Sequence, residues 1–318
     1  MTKCRPSFAK SVFAALMAIA GAAPAIAEDI ARNLQAGGYE RSYTMFLPDR
    51  LKGTRAPLPV VVVLHGGLGT GRIVRRQMHM DHVAEREGFA VVYPEGLGRG
   101  WNDGRSDRLR QRGVYGKADD VAFLRTLVET LVEEKIADRS RVYLTGPSNG
   151  GMMTLRMGCE AADLFAAIAP IIANMPADIA QSCKPSRPVP ILLINATADP
   201  LVPWNGGGVG LAEERGQVVS TEETIGFWRR TNGCSENAKK ADIAEERADD
   251  RTNAQLELYR ECASGAPVAL IRVVGGGHRI PGREDRPHPV IDWVFGPQNH
   301  SFETAEKVWS FFAGTAQR

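Results

Sequence analysis

Residues 58–64, Leu-Pro-Val-Val-Val-Val-Leu, form an unbroken apolar run that ends in His65-Gly66-Gly67. A strand with one solvated face alternates apolar and polar side chains. A run without that alternation must bury both faces, as a central strand does between two helical layers. The rest of the chain supplies the layers. Helical spacing predicts helices over 74–86, 119–134, 221–230 and 302–312, and from Met152 onward. Asp119 and Asp120 stand at the start of the second, where carboxylates favour the helix dipole. Further strands are predicted over 89–93, 141–145, 165–172, 189–194, 256–259 and 268–274. Strands alternating with helices imply an α/β fold with a mostly parallel central sheet and helices on both faces.

With 318 residues, 43% hydrophobic and 24% charged, the chain can bury one large core. Its start has the layout of an export signal. Lys3, Arg5 and Lys10 precede an apolar stretch over 11–22, and Ala25-Ile26-Ala27 offers a small-x-small cleavage site. The stretch falls short of the ~20 residues that span a bilayer. The expectation is a signal peptide over 1–27, a single catalytic domain over 28–318, delivery to the periplasm or medium, and no membrane attachment after cleavage. The formal charge of +2 falls by three to −1 when those basic residues leave. A near-neutral chain without a basic patch excludes nucleic acid as a partner.

Cys4 leaves with the leader, so Cys159, Cys183, Cys234 and Cys262 remain. An even number in an oxidising compartment implies two disulfides. Three pairings are open; closure of short local loops favours Cys159–Cys183 and Cys234–Cys262. The segment 239–251 is dense in charge and reads as a solvated hairpin or surface loop.

The chemistry centres on Gly146-Pro147-Ser148-Asn149-Gly150, a G-x-S-x-G sequence between a predicted strand and a predicted helix. That is the context of a nucleophile elbow, in which the serine hydroxyl projects from a tight strand-to-helix turn. A serine needs a base to remove its proton. His278 follows a strand and three glycines, downstream of the serine. His288, flanked by prolines and with no strand before it, is the runner-up. Asp199 follows the 189–194 strand and precedes Pro200, which suits the acid that fixes the imidazole tautomer. The order Ser…Asp…His is that of α/β-hydrolases. His65-Gly66-Gly67-Leu68 follows the first buried strand, where the second oxyanion donor arises. The nominated donors are the N–H groups of Gly67 and Asn149, with Leu68 the alternative to Gly67. His65 reads as a structural support of this loop.

Trp101 and Asn102, on the loop after the 89–93 strand, and Trp204, just past Asp199, are candidate substrate contacts. A tryptophan there either stacks on an acyl group or anchors its loop in the core. Arg105, Arg108, Arg110 and Arg112 read as a solvated basic loop. His79 and His82 lack a third ligand for zinc, and neither a phosphate-binding loop nor a dinucleotide fingerprint occurs. No metal or cofactor is expected.

Together, Leu64-His65-Gly66-Gly67, Tyr93-Pro94-Glu95-Gly96, Trp101-Asn102-Asp103-Gly104, Gly146 to Gly151, Ala198 to Pro203 and Gly276-Gly277-His278 resemble the polyhydroxybutyrate depolymerase and feruloyl esterase family, grouped with carbohydrate esterases of family one. The resemblance runs from about residue 38 to 312. It implies an α/β-hydrolase fold and cofactor-free carboxylester hydrolysis, with the triad roles carried onto Ser148, Asp199 and His278. The substrates implied are hydroxyalkanoate oligomers or the feruloyl and acetyl esters of plant polysaccharide. Two departures stand out. Many relatives carry cysteine where this chain has Gly67, and tryptophan after the catalytic histidine where it has Arg279-Ile280. The chain ends at Arg318 with neither linker nor binding domain, which favours soluble oligomers and small esters over crystalline polymer. Other readings are a peptidase or amidase on the same fold, and a non-catalytic secreted polymer-binding protein.

Overall fold

A computed structural model describes residues 30–106, 114–211, 215–243, 251–282 and 289–316. The leader over 1–27, Arg108, Arg110, Arg112, His288 and part of the charged 239–251 segment lie outside the described residues.

An antiparallel hairpin, β1 (Ile30–Ala36) and β2 (Tyr39–Phe46), opens the described chain. There follow β3 (Leu58–Val63), α1 (Gly71–Met78), α2 (Met80–Glu87), β4 (Ala90–Pro94), α3 (Asp120–Glu133) and β5 (Ala137–Pro147). Next come α4 (Asn149–Glu160), β6 (Ala167–Ile171), α5 (Ala177–Ser182) and β7 (Ile191–Ala196). A two-strand ribbon of β8 (Gly207–Gly208) and β9 (Gln217–Val218) precedes α6 (Thr221–Asn232). The chain closes through β10 (Lys239–Ile243), β11 (Asn253–Tyr259), β12 (Val268–Val274), α7 (Pro289–Phe295) and α8 (Thr304–Ala316).

The main sheet has the order β1-β2-β4-β3-β5-β6-β7-β12-β11-β10. From β4 to β12 every pairing is parallel, and both outer flanks are antiparallel. This is the α/β-hydrolase fold. The apolar runs divide between its faces as their lack of polar alternation requires. Val60, Val62 and Leu64 join Phe123, Leu127, Met153 and Trp228 on one side. Val61 and Val63 join Val74, Val83, Val308 and Phe312 on the other. Thus α3, α4 and α6 cover one face, and α1, α2 and α8 the other.

The expected helix over 74–86 is two helices. His79, at φ +52°, breaks the ladder and caps the first of them. The charged 239–251 segment begins as the edge strand β10, antiparallel to β11, and its side chains stay mostly exposed. Disulfides join Cys159 to Cys183 and Cys234 to Cys262, the pairing that local closure favours. No described helix is long and apolar enough to cross a membrane.

Candidate active site

A hydroxyl, an imidazole and a carboxylate meet at the C-terminal edge of the parallel strands. Ser148 sits between β5 and α4 at φ +56°, ψ −122°. Such a backbone is costly for a residue with a Cβ, and it turns the side chain out of the elbow. The flanking glycines are needed for close approach. A Cβ on Gly146 would lie 2.6 Å from the Leu64 carbonyl, and one on Gly150 would lie 2.6 Å from the carbonyls of Leu64 and His65. The elbow is thereby pressed against the end of β3 and the loop that follows it.

His278 follows β12 and Asp199 follows β7. The His278 Nε2 is 3.0 Å from Ser148 Oγ, and its Nδ1 is 2.7 Å from Asp199 Oδ2. The other Asp199 oxygen accepts the N–H groups of Leu201 and Val202, each at 2.8 Å. The carboxylate is fixed by its own turn, so Nδ1–H donates to it and the Nε2 lone pair faces the serine. The Asp199 side chain is 2% exposed and that of His278 10%, so the pair is largely shielded from water.

The imidazole is held by close backbone packing. The His278 N–H donates to the Phe295 carbonyl at the end of α7, and the Gly277 N–H to the Pro297 carbonyl at 2.8 Å. A Cβ on Gly277 would overlap Phe295 O at 2.0 Å, so only glycine allows this approach.

The loop after β3 lies over the elbow. A Cβ on Gly67 would stand 3.7 Å from Asn149 Cβ. Leu68 spends its N–H on the Arg99 carbonyl at 2.7 Å, so of the two alternatives Gly67 is the one whose N–H remains available. No hydrogen bond engages the N–H of Gly67 or Asn149 among the described residues. His65 is fully buried, with Nδ1 2.8 Å from the Gly66 carbonyl and Nε2 accepting the Gly96 N–H at 2.9 Å. Burial holds its imidazole below the usual range, with Arg99 and Arg41 adding to the effect. It braces this loop, as the sequence suggests.

Trp101 and Asn102 are both bonded into the scaffold around the elbow. Trp101 has no exposed surface, and its indole N–H donates to the His65 carbonyl at 2.8 Å. Of the two roles open to it in the sequence, loop anchor is the one it fills. The Asn102 N–H donates to Asp120 Oδ2 at 2.7 Å, and its amide nitrogen to the Ala118 carbonyl at 3.0 Å. Asn102 lines a separate cavity of about 500 Å³ with Lys117 and Arg156, and no triad residue lines it. Trp204 is half-buried, and the Arg272 guanidinium covers its ring at 4.5 Å. One face is therefore already occupied.

A set of buried polar residues ties this scaffold together. Asp103 accepts the Asn149 amide at 2.6 Å and binds Arg105 through Nε and Nη2. Arg105 is 7% exposed, so it belongs to the interior and not to a solvated loop. Arg41 and Asp120 form a buried ion pair at 2.7 Å, with Arg41 over the Phe123 ring. Burial pushes the Asp120 carboxyl up, opposed by Arg41 and the Asn102 N–H. The rings of His79 and His82 lie 5.8 Å apart, and no group of three potential metal ligands occurs among the described residues.

Residues 41–200 match the family model described as Esterase PHB depolymerase. The chain belongs to this esterase family. A family relative, "Putative esterase NocK" of Nocardia uniformis subsp. tsuyamanensis, is 30% identical over 89% of this chain and 82% of that protein. Feruloyl esterase B of Piromyces equi is 28% identical over 75% of this chain, which spans only 42% of that protein. Among solved structures, the acetyl xylan esterase from Aspergillus awamori superposes with a TM-score of 0.54 and 17% identity, over 83% of this chain and 98% of that one. That likeness is one of fold.

Proposed function

We propose that this esterase is a secreted serine carboxylester hydrolase working through an acyl-enzyme. Ser148 Oγ attacks the ester carbonyl as its proton passes to His278 Nε2. The carbonyl oxygen, now negative, is held by the N–H groups of Gly67 and Asn149. Collapse expels the alcohol, which takes the proton back from Nε2 and leaves the acyl group on Oγ. Water then repeats the sequence, giving its proton to Nε2 and releasing the acid. Asp199 holds the tautomer and stabilises the imidazolium in both halves. No step needs a cofactor. The observation that carries this reading is the row Ser148 Oγ, His278, Asp199, with links of 3.0 and 2.7 Å.

Family membership supports two substrate groups, hydroxyalkanoate oligomers and the feruloyl or acetyl esters of plant polysaccharide. Turnover of methyl ferulate, acetylated xylan and hydroxybutyrate oligomers, against matched amides, separates these and tests the peptidase alternative. Export rests on the leader-like residues 1–27 and agrees with two disulfides. Residues 28–318 then form one mature catalytic domain.

The test is Ser148→Ala, which should lower hydrolysis of p-nitrophenyl butyrate by about 10⁴-fold or more. It should also abolish labelling by a fluorophosphonate probe, with the circular dichroism spectrum unchanged. Undiminished turnover by this variant would remove Ser148 from the mechanism.

A further inference from the structure

The exposed large apolar side chains are unevenly distributed. Of seven among the described residues, five lie on three segments that adjoin the triad: Leu68, Leu211, Val290, Ile291 and Trp293. Leu68 is next to Gly67 in the loop over the elbow. Leu211 follows Gly210, whose N–H binds the Leu201 carbonyl at 2.8 Å, and Leu201 in turn donates to Asp199. The other three stand on α7, whose last residue, Phe295, accepts the backbone N–H of His278.

On α7, Asp292 is turned inward and pairs with Arg279, beside the catalytic histidine, at 2.6 Å. Arg251 reaches its other oxygen at 3.3 Å. With Asp292 fixed in this way, Val290 and Trp293, three positions apart, share a face. Trp293 is 86% exposed and Val290 64%. Exposed aromatic residues are common anchors in recognition.

Position relative to the histidine says which part of an ester this face meets. In the first half-reaction, His278 Nε2 must hand its proton to the departing alcohol oxygen. The alcohol portion therefore leaves on the imidazole side of the row, and α7 is the helix bonded to the backbone of that histidine. The acyl portion remains on Ser148.

We propose that Trp293, backed by Val290, is the alcohol-side specificity surface of this esterase, taking up an extended apolar or aromatic alcohol moiety. The idea rests on the ester-hydrolase reading above. It makes Trp293 a substrate contact that the loop tryptophan, Trp101, is not.

The test compares ethyl and octyl acetates, which vary the alcohol, with ethyl octanoate, which varies the acid, by pH-stat titration. Trp293→Ala should lower kcat/KM for octyl acetate about tenfold, while ethyl acetate and ethyl octanoate change by less than about twofold. Trp293→Phe should recover most of the loss. An equal loss on all three esters, no loss on any, or a loss confined to ethyl octanoate would overturn the assignment. Wild-type protein that hydrolyses none of them and takes up no fluorophosphonate would overturn the parent reading, and this one with it.

Discussion

The side-chain amide of Asn149 closes a reciprocal pair of hydrogen bonds on the backbone of Trp101, accepting its N–H at 2.8 Å and donating to its carbonyl at 3.0 Å. The residue after the nucleophile is thus fastened to the loop after β4. The Trp101 indole extends the connection to the His65 carbonyl, just before the glycines proposed to supply the other oxyanion donor. One buried tryptophan thus links the two loops that carry the proposed donors.

Trp101→Phe keeps the ring in the core but removes the indole N–H. The expected result is a fall of about tenfold in kcat for p-nitrophenyl butyrate, with KM nearly unchanged, because donor placement and not substrate contact is lost. Steady-state kinetics decide it. A rise in KM at constant kcat would mean that the ring touches substrate after all.

Ser148 holds a backbone conformation that favours glycine. Such strain costs on the order of 1–3 kcal/mol. Both Ser148→Gly and Ser148→Ala should be inactive, but the glycine variant should be the more stable by about 1 kcal/mol, after the extra freedom of glycine in the unfolded chain is offset. Urea unfolding of the two variants checks this. A glycine variant less stable than the alanine variant by about 0.5–1 kcal/mol would show that the elbow stores no strain.

Stability should depend on pH through His65. Burial lowers its folded-state pKa from an ordinary value of 6.5. Above that value neither state binds a proton there. As the pH falls below it the unfolded chain takes up the proton first, so stability is lost until the folded pKa is reached. The His65→Gln variant, whose amide oxygen can still accept the Gly96 N–H, should lack this component. Urea midpoints at about pH 7.5 and pH 5.5 should fall more steeply in the wild type. Parallel changes in the two proteins would exclude His65 as the source.

The Cys234→Ser/Cys262→Ser double variant should lose about 3–4 kcal/mol of stability, as expected when the closed loop spans 28 residues. Its kcat should match that of the wild type, since neither cysteine contacts the triad. Thermal unfolding and an esterase assay measure the two effects. A loss of kcat without loss of stability would contradict this separation.

The central strands and the row of Ser148, His278 and Asp199 were legible because each is written locally. Val60 to Leu64 can only be a strand buried on both faces, and Ser148, Asp199 and His278 each follow such a run. The β1–β2 hairpin was not foreseen: Ile30–Ala36 leaves much of its surface half-exposed or exposed and carries no strong apolar signal. The role of Trp101 was open, because a loop tryptophan reads the same whether it faces substrate or core. What decides it is the carbonyl of His65, 36 residues earlier. Asp103 and Arg105 were obscured for a related reason. Their pairing is local, but their burial comes from the distant Asn149 and Arg215. The α7 surface carries no local signature; the hydrogen bond that ties the helix to the His278 backbone exists only in the folded chain.

The cross-links also bear on how the reactive groups find one another. Cys159–Cys183 falls wholly inside the interval from Ser148 to Asp199, and Cys234–Cys262 inside that from Asp199 to His278. Each acts as a shortcut, taking its 24 or 28 residues out of the tether between two members of the row. An oxidised chain therefore begins its search already partly reeled in, by about 0.5 kcal/mol of loop entropy per interval. Oxidation of the four cysteines would thus ease assembly of the edge of the sheet where Ser148, Asp199 and His278 meet.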